Sequence, residues 1–174
     1  MVAIIAARAA NTHAIGYRNR LPWPPIFSDI RRFRELTTGH PVIMGMNTFA
    51  GIVEMLGHPL KGRENIVLTL RHTREVEDGG GVAVPSTKAA LEVAERGGTE
   101  AFVIGGTRVY EEMLPHVNTL HITTVHPYEG TINGDVLFPI VPSLAMGWRI
   151  AEHLATRLYD PADSYPTSYT KYMR

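Results

Sequence analysis

Apolar runs of strand length alternate with amphipathic segments along this chain, and this alternation predicts an α/β fold. Continuous apolar residues occupy positions 2–7, 41–45 and 101–104, the mainly apolar NIVLTL covers 65–70, and a shorter run covers 82–84. Uninterrupted apolar runs of this length are typical of strands that a parallel sheet buries on both faces. The N-terminal two thirds of the chain therefore predicts a mostly parallel sheet.

Helical periodicity separates these runs, and serine and glycine mark the expected helix ends. Ser28 and Ser86 are the predicted N-caps of two of the helices, and Gly39 and Gly97 close the same two. The predicted helices cover residues 28–37, 48–55, 86–96 and 107–114.

The pattern changes in the last third of the chain. Residues 119–125 alternate like a half-covered strand, and the β-rich runs 148–158 and 167–173 flank a turn at 160–163. The whole pattern predicts one domain over residues 1–174. We expect a mostly parallel sheet of about eight strands, about four flanking helices and a C-terminal antiparallel hairpin.

One residue breaks the amphipathic pattern of the first predicted helix. On a 3.6-residue period, Asp29 shares a narrow arc with Phe33 and Leu36, and Ile30 and Arg32 lie at the edges of that arc. An acid in a first turn gains about 0.3–1 kcal/mol from the helix dipole, but this gain does not require an inward position. Desolvation beside apolar side chains would raise the pKa of Asp29, as a proton donor or relay requires.

Two predicted strands end in glycine and lead directly into a helix. Gly45 follows the apolar residues PVIM, and Gly105-Gly106 follows AFVI. Each turn alone is usually no more than a tight turn, but glycine also lets backbone approach a ligand, and helix starts present N–H groups to anions. With Thr48, Arg71 and Arg108 nearby, the pair predicts a pyrophosphate held between two helix starts. Neither turn matches the Rossmann fingerprint or the P-loop.

Composition narrows the class of partner. Lys+Arg and Asp+Glu are equal at 17 each, so no overall field attracts nucleic acid or an anionic membrane. The absence of cysteine excludes disulfides and thiolate metal sites and fits a reducing compartment, so we expect a cytoplasmic protein. The N-terminal apolar run is too short for a signal or a membrane span. His121 and His126 lack acidic neighbours at ligand spacing, so we expect solvated or structural histidines and no metal site.

The order of six sequence blocks resembles dihydrofolate reductase over nearly the whole chain. The blocks are IGY…LPW, the acid-bearing helix, PVIMG.NTF, PLKGR.NIVLT, FVIGGTRVYE and LHIT…GD..FP. The resemblance implies a monomeric enzyme of one-carbon metabolism that reduces 7,8-dihydrofolate with NADPH. It implies hydride transfer to pterin C6 and protonation of N5, with small-molecule partners only, antifolate inhibitors among them.

The resemblance also implies roles for individual residues of the reaction centre. Asp29 would promote protonation of the pterin, Thr123 would hold this acid, and Leu21 and Trp23 would belong to a mobile loop over the nicotinamide. Arg63 would pair with the glutamate α-carboxylate of the substrate. The implied substrate-binding set is Ile5, Ala6, Ala7, Asp29, Ile30, Phe33, Ile52, Arg63, Ile104 and Thr123.

The cofactor set implied by the resemblance centres on the two glycine turns, and the Gly105–Gly106 peptide is expected to be cis. A basic residue commonly follows PVIMG in this family, but Met46 stands here, so Arg71 and His72 become the candidates for the adenosine 2′-phosphate. The implied cofactor-binding set is Ala7, Ile15, Gly16, Asn19, Gly45, Met46, Asn47, Thr48, Leu70, Arg71, His72, Ile104, Gly105, Gly106, Thr107, Arg108, Val109 and Tyr110.

Two alternatives remain open at the level of the sequence. The related reductase of riboflavin biosynthesis shares the sheet and the glycine turn. Its substrate carries a ribityl phosphate and no glutamate, so an acid at Asp29 together with Arg63 argues against this alternative. A non-catalytic nucleotide-binding module on the same fold is the second alternative.

Overall fold

The computed structural model describes residues 1–140 and 142–174, and these contain ten strands and five α-helices. The strands are β1 (Val2–Ala9), β2 (Ala14–Gly16), β3 (Val42–Gly45), β4 (Asn65–Leu68), β5 (Val82–Val84), β6 (Ala101–Gly105), β7 (Thr119–Val125), β8 (Val136–Leu137), β9 (Arg149–Arg157) and β10 (Thr167–Met173). The helices are α1 (Phe27–Thr37), α2 (Met46–Leu56), α3 (Thr73–Asp78), α4 (Thr87–Arg96) and α5 (Thr107–Met113). Short 3-10 turns cover Leu114–His116 and Leu144–Met146.

Eight of the strands form one mixed sheet in the order β5-β4-β3-β6-β1-β7-β10-β9. The pairs β4–β5, β3–β4, β3–β6 and β1–β6 are parallel, whereas β10 is antiparallel to both β7 and β9. The predicted mixed sheet with its C-terminal antiparallel pair is confirmed. The expected number of helices was one too low, because α3 has only six residues and is too short to show a helical period.

Backbone contacts group the chain into two compact units, residues 1–4 with 37–117 and residues 5–36 with 118–174. The first unit contains the parallel strands β3 to β6, the first residues of β1 and helices α2 to α5. Met44 of β3 lies opposite Gly105 of β6, so both strands end at the same edge of the sheet. This edge carries the two glycine turns.

The second unit contains the rest of β1, helix α1, the antiparallel strands and the small sheet β2–β8. Strand β7 is buried almost throughout, so the prediction of a half-covered strand was wrong. Its alternating polar residues are accommodated by internal hydrogen bonds: His121, for example, bonds to Tyr169 of β10. The alternation of polar and apolar residues in β7 therefore does not mark a solvent-facing side, because these polar side chains are buried with hydrogen-bond partners.

The start of α1 also differs from the prediction. The helix begins at Phe27, so Ser28 lies inside the first turn and is not its N-cap. The Ser28 amide and hydroxyl both donate to the carboxylate of Asp163, at 2.9 and 2.6 Å. An acceptor 135 residues away in sequence therefore serves the helix start, and the local Ser pattern could not reveal it.

Within the described chain, the search for a helix both long and apolar enough to cross a bilayer finds none.

Candidate active site

The acid of α1 occupies the inward arc that its sequence period predicts. Asp29, Phe33 and Leu36 are partly buried, whereas Arg31 and Glu35 on the opposite side are exposed. Asp29 keeps part of its surface open to solvent, although protein atoms surround its carboxyl densely. The helix thus presents a carboxylate together with apolar side chains, which is the arrangement expected of a group with an altered acidity.

Four influences act on the acidity of Asp29. Burial is the largest and raises the pKa of the carboxyl above its usual value of 3.8. The hydrogen bond to the side chain of Thr123 and the positive charge of Arg32 lower this pKa, whereas the negative charge of Asp163 raises it. The net direction is upward, so Asp29 holds its proton to a higher pH than a solvated aspartate does.

The sheet beneath the acid supplies a second group of polar side chains. Thr123 of β7 and Tyr169 of β10 are directly opposite one another in the antiparallel register, so their side chains share one face. The His121 Nδ1 lies 2.7 Å from the Tyr169 hydroxyl. Burial lowers the pKa of His121 to about 4 and raises the pKa of Tyr169 to about 12, so both are neutral at pH 7. His121 is thus a neutral side chain of the sheet that is hydrogen-bonded to Tyr169.

The remaining predicted residues of the second unit fall into three environments. Ile5 and Ala6 of β1 are buried and Ala7 is partly buried, whereas Ile30 is 47% exposed on α1. Trp23 packs into an apolar cluster with Ile26, while Leu21 is exposed. Ile15 and Gly16 lie in β2, which pairs with β8, and Asn19 is exposed with φ +61° in the turn that links Tyr17 to Arg20.

The two glycine turns of the first unit lie side by side, as the sequence predicts. A Cβ atom built on Gly45 would lie 3.2 Å from Val109 Cγ2 and 3.9 Å from the amide nitrogen of Gly106. Gly105 has φ +132°, and its Cβ would lie 3.4 Å from Thr48 Oγ1. The Gly105–Gly106 peptide is cis, as expected. Helices α2 and α5 take Gly45 and Gly106 as their N-caps, so glycine backbone borders both helix starts.

The other predicted cofactor residues surround these turns and the end of β4. Met46, Asn47 and Thr48 form the first turn of α2, and Thr107, Arg108, Val109 and Tyr110 begin α5. Arg108 is exposed and pairs with Glu112 at 2.6 Å. Ile104, next to the last residue of β6, is partly buried, and so is Ile52 in α2.

The segment after β4 is held in a turn by Thr69. Its hydroxyl accepts hydrogen bonds from the amides of Arg71 and His72, at 3.4 and 3.1 Å. Both side chains are exposed, and so is Leu70, and His72 Nδ1 lies 2.9 Å from a carboxylate oxygen of Glu75. The turn therefore presents one arginine and one histidine to solvent.

Arg63 lies elsewhere in the first unit, and its guanidinium is oriented by two acceptors. Its Nη1 donates to the Thr37 hydroxyl at 2.8 Å, and its Nε donates to the carbonyl of Lys61 at 3.1 Å. A cavity of about 210 Å³ lies beside it, lined also by His40 and Glu64. A fixed planar fork at the border of a cavity suits the recognition of a carboxylate.

Sequence reasoning missed the partners that surround the acid. Asp163 and Tyr169 lie more than 130 residues from Asp29 in the chain, and no local pattern connects them. Arg32 was visible as the edge of the inward arc, but nothing in the helix indicated which side chain it would contact. A scan of the described residues for three or more His, Cys, Asp or Glu side chains able to hold a metal ion finds no such group.

Comparison with known proteins places this architecture in a family. A family model described as dihydrofolate reductase matches residues 1–174. The type 3 dihydrofolate reductase of Salmonella typhimurium is 36% identical over 174 residues, which are 100% of this chain and 98% of that protein. The dihydrofolate reductase of Bacillus subtilis is 37% identical over 139 residues, covering 80% of this chain and 76% of that protein.

A solved structure agrees with these relatives. Dihydrofolate reductase from Enterococcus faecalis, complexed with NADP(H) and RAB-propyl, superposes with a TM-score of 0.80 at 26% identity. The match covers 100% of this chain and 96% of that structure. The chain described here therefore belongs to the dihydrofolate reductase family.

Proposed function

We propose that this chain reduces 7,8-dihydrofolate to 5,6,7,8-tetrahydrofolate with NADPH, and that Asp29 is the acid that promotes protonation of pterin N5. The observation that carries the assignment of the acid is a partly buried carboxyl on α1, hydrogen-bonded to Thr123, whose pKa burial raises. The whole-chain family match supplies the reaction. The proposal takes residues 1–174 as one catalytic domain.

The residues of the first unit fit a dinucleotide cofactor. Side chains at Gly45 or Gly105 would occupy space beside the starts of α2 and α5, where backbone N–H groups suit phosphate oxygens. Thr48 adds a hydroxyl at the same place. We assign the pyrophosphate to these turns, and the adenosine 2′-phosphate to Arg71 and His72.

NADPH supplies the hydride for pterin C6 when it is bound. Asp29 is proposed to hold the pterin ring by hydrogen bonds and to keep a proton available near N5 at working pH. Thr123 keeps the carboxyl oriented toward the ring. Apolar residues of β1 and α1, with Ile5 and Phe33 as the main surfaces, would cover the ring and exclude water.

The other end of the substrate is assigned to Arg63. A dihydrofolate molecule carries a glutamate α-carboxylate, and a guanidinium already oriented by Thr37 and the Lys61 carbonyl can bind it with little loss of side-chain entropy. The loop with Leu21 and Trp23 is proposed to close over the nicotinamide.

The test is the loss of NADPH absorbance with and without dihydrofolate, in the wild type and in two variants. Asp29→Asn is expected to reduce the rate of hydride transfer by about 100-fold or more at neutral pH while NADPH binding persists, because an amide cannot supply the proton. Glu35→Gln removes a carboxylate from the exposed side of the same helix and is expected to leave the rate unchanged. Near wild-type turnover in Asp29→Asn would refute the assignment of the acid.

The same assay separates the two alternatives. A riboflavin-pathway reductase would oxidise NADPH with a ribityl-phosphate pyrimidine and not with dihydrofolate, and the whole-chain match to dihydrofolate reductase argues against it. A non-catalytic module would bind NADPH without oxidising it.

The location of the enzyme and its oligomeric state complete the proposal. We propose that the enzyme acts in the cytoplasm, on small-molecule substrates. We also propose that it acts as a monomer, because one chain carries all the residues assigned to the site. Light scattering at micromolar protein concentration tests the monomer, and a stable dimer would contradict it.

A further inference from the structure

Arg32 is a cation of α1 that the reaction assigned above does not use. It lies three residues after Asp29, so both side chains point to the same side of the helix, and it is partly buried. Its Nη1 donates to the Thr123 hydroxyl at 3.4 Å. The same hydroxyl is hydrogen-bonded to the Asp29 carboxyl. Thr123 therefore stands between a guanidinium and an acid.

The chemistry of a hydroxyl gives this arrangement a direction. Thr123 has one proton to donate and two lone pairs to accept with, and a guanidinium can only donate. Because Arg32 donates to the oxygen, the hydroxyl proton is left for Asp29. A carboxylate that accepts this proton in a hydrogen bond is favoured in its ionised form.

Two aromatic rings keep Arg32 in this place. Its guanidinium carbon lies 4.5 Å from the centre of the Tyr169 ring and 5.8 Å from the centre of the Tyr159 ring. Cations over aromatic faces are stabilised, and the ring also limits the rotamers of the long side chain. The Tyr169 hydroxyl is itself held by His121. The guanidinium is thus positioned by contacts that are independent of any bound molecule.

The other charged groups around this site do not duplicate Arg32. Besides Arg32, only the charge of Asp163 among the described residues acts on the Asp29 carboxyl, and it acts in the opposite direction. His121 and Tyr169 are neutral at pH 7. The other titratable groups on these elements are Arg31, Arg34 and Glu35 on α1, Arg149, Glu152, His153 and Arg157 on β9, and Lys171 and Tyr172 on β10. Tyr159 and Asp160 precede β10.

We propose that Arg32 is a positioning residue for the acid: its guanidinium directs the Thr123 proton to Asp29 and places a compensating positive charge beside the carboxylate. The inference rests on the proposed function for its role in the reaction, but the effect on Asp29 belongs to the protein alone. Arg32 and Asp163 then form an opposed pair that adjusts the pH range in which Asp29 is protonated, on top of the larger rise in pKa that burial causes.

The direct test is the titration of the Asp29 carboxyl carbon by NMR in protein labelled at aspartate, with Asp29→Asn identifying its signal. In Arg32→Met, which keeps a long side chain against Tyr169, the pKa of Asp29 is expected to rise by about 0.5 to 1 pH unit. At pH values above both midpoints, this rise makes the protonated fraction of Asp29 about three to ten times larger than in the wild type. Arg32→Lys keeps the charge and is expected to stay within about 0.3 pH unit of the wild type.

Arg31→Met is the matched control, because Arg31 is the adjacent arginine of the same helix but is exposed and pairs with Asp160 at 2.7 Å. It is expected to move the Asp29 midpoint by less than about 0.2 pH unit, since solvent screens an exposed charge. An unchanged midpoint in Arg32→Met, or equal shifts in Arg32→Met and Arg31→Met, would overturn the proposal. A lysine variant that shifts as far as the methionine variant would overturn the electrostatic argument.

The failure of this inference is distinct from the failure of the proposed function. If the protein reduces dihydrofolate, the high-pH decline in single-turnover rate should move upward in Arg32→Met by the same amount as the NMR midpoint. A wild type without dihydrofolate-dependent oxidation of NADPH would refute the function, and the NMR titration would still decide the role of Arg32. If the enzyme is active but the NMR midpoint of Asp29 is the same in Arg32→Met as in the wild type, this inference alone is refuted.

Discussion

The buried carboxylate of Asp163 is expected to stabilise the start of α1 strongly. Asp163 is 6% exposed and accepts hydrogen bonds from the Ser28 amide, the Ser28 hydroxyl and the amide of Asp160, at 2.9, 2.6 and 3.1 Å. Asp163→Ala leaves both donors of the buried Ser28 without this acceptor and removes an anion from a helix start. Each buried donor that loses its partner costs about 1–3 kcal/mol, and the helix-dipole contribution adds about 0.3–1 kcal/mol.

These contributions predict a loss of about 3–4 kcal/mol in the free energy of unfolding, since the Ser28 hydroxyl can turn to another acceptor and recover part of its share. For a chain of this length the loss corresponds to a fall of about 10 °C in Tm. The assay is urea denaturation followed by far-UV circular dichroism and by tryptophan fluorescence, whose agreement also tests two-state unfolding.

Two further variants make the Asp163 prediction refutable. Asp160→Ala removes a more exposed carboxylate of the same turn, which pairs with Arg31, and is expected to destabilise far less. In Ser28→Ala the effect of Asp163→Ala should shrink, because the Ser28 hydroxyl donates one of the three hydrogen bonds that Asp163 accepts, whereas the amide of residue 28 still donates another. Equal losses in Asp163→Ala and Asp160→Ala, or full additivity with Ser28→Ala, would refute this account of the helix start.

Three other outcomes follow from the site. Arg63→Gln should raise the KM for dihydrofolate by about 10- to 100-fold, because a charge-assisted bidentate contact is lost, and should leave the KM of a dihydropterin without glutamate unchanged. Met46→Arg should raise the ratio of kcat/KM for NADPH over NADH by about fivefold, since one phosphate contact contributes about 1 kcal/mol; a wild type that already rejects NADH completely would contradict this. Asp29→Asn should raise Tm at about pH 8 and lose this advantage below about pH 4. Folding raises the pKa of Asp29, so the ionised Asp29 side chain destabilises the folded protein only at pH values above its pKa in the unfolded chain, and asparagine avoids this loss.

Local pattern was sufficient for the elements that bury a continuous or periodic apolar surface. Strands β1, β3 and β6 and helix α4 appear where the sequence predicts them, and Ser86 caps α4 by accepting from the Ala89 amide. The glycine turns also lie side by side as expected, because adjacent parallel strands end at one edge of the sheet. These features depend on side chains within about one helical turn or one strand, which the chain order displays directly.

The inward position of Asp29 could likewise be read from the helical period, and so could the edge position of Arg32. What surrounds these two residues could not be read, because Thr123, Asp163 and Tyr169 come from segments more than 90 residues away. The register of β7 against β10 decides that Thr123 and Tyr169 share a face. The packing of the turn at 160–163 decides that Asp163, and not Ser28, is the acceptor at the start of α1. Sequence periodicity reports which side of an element is buried, whereas the acidity of a carboxyl depends on the charges that the tertiary fold brings to within a few ångströms of it.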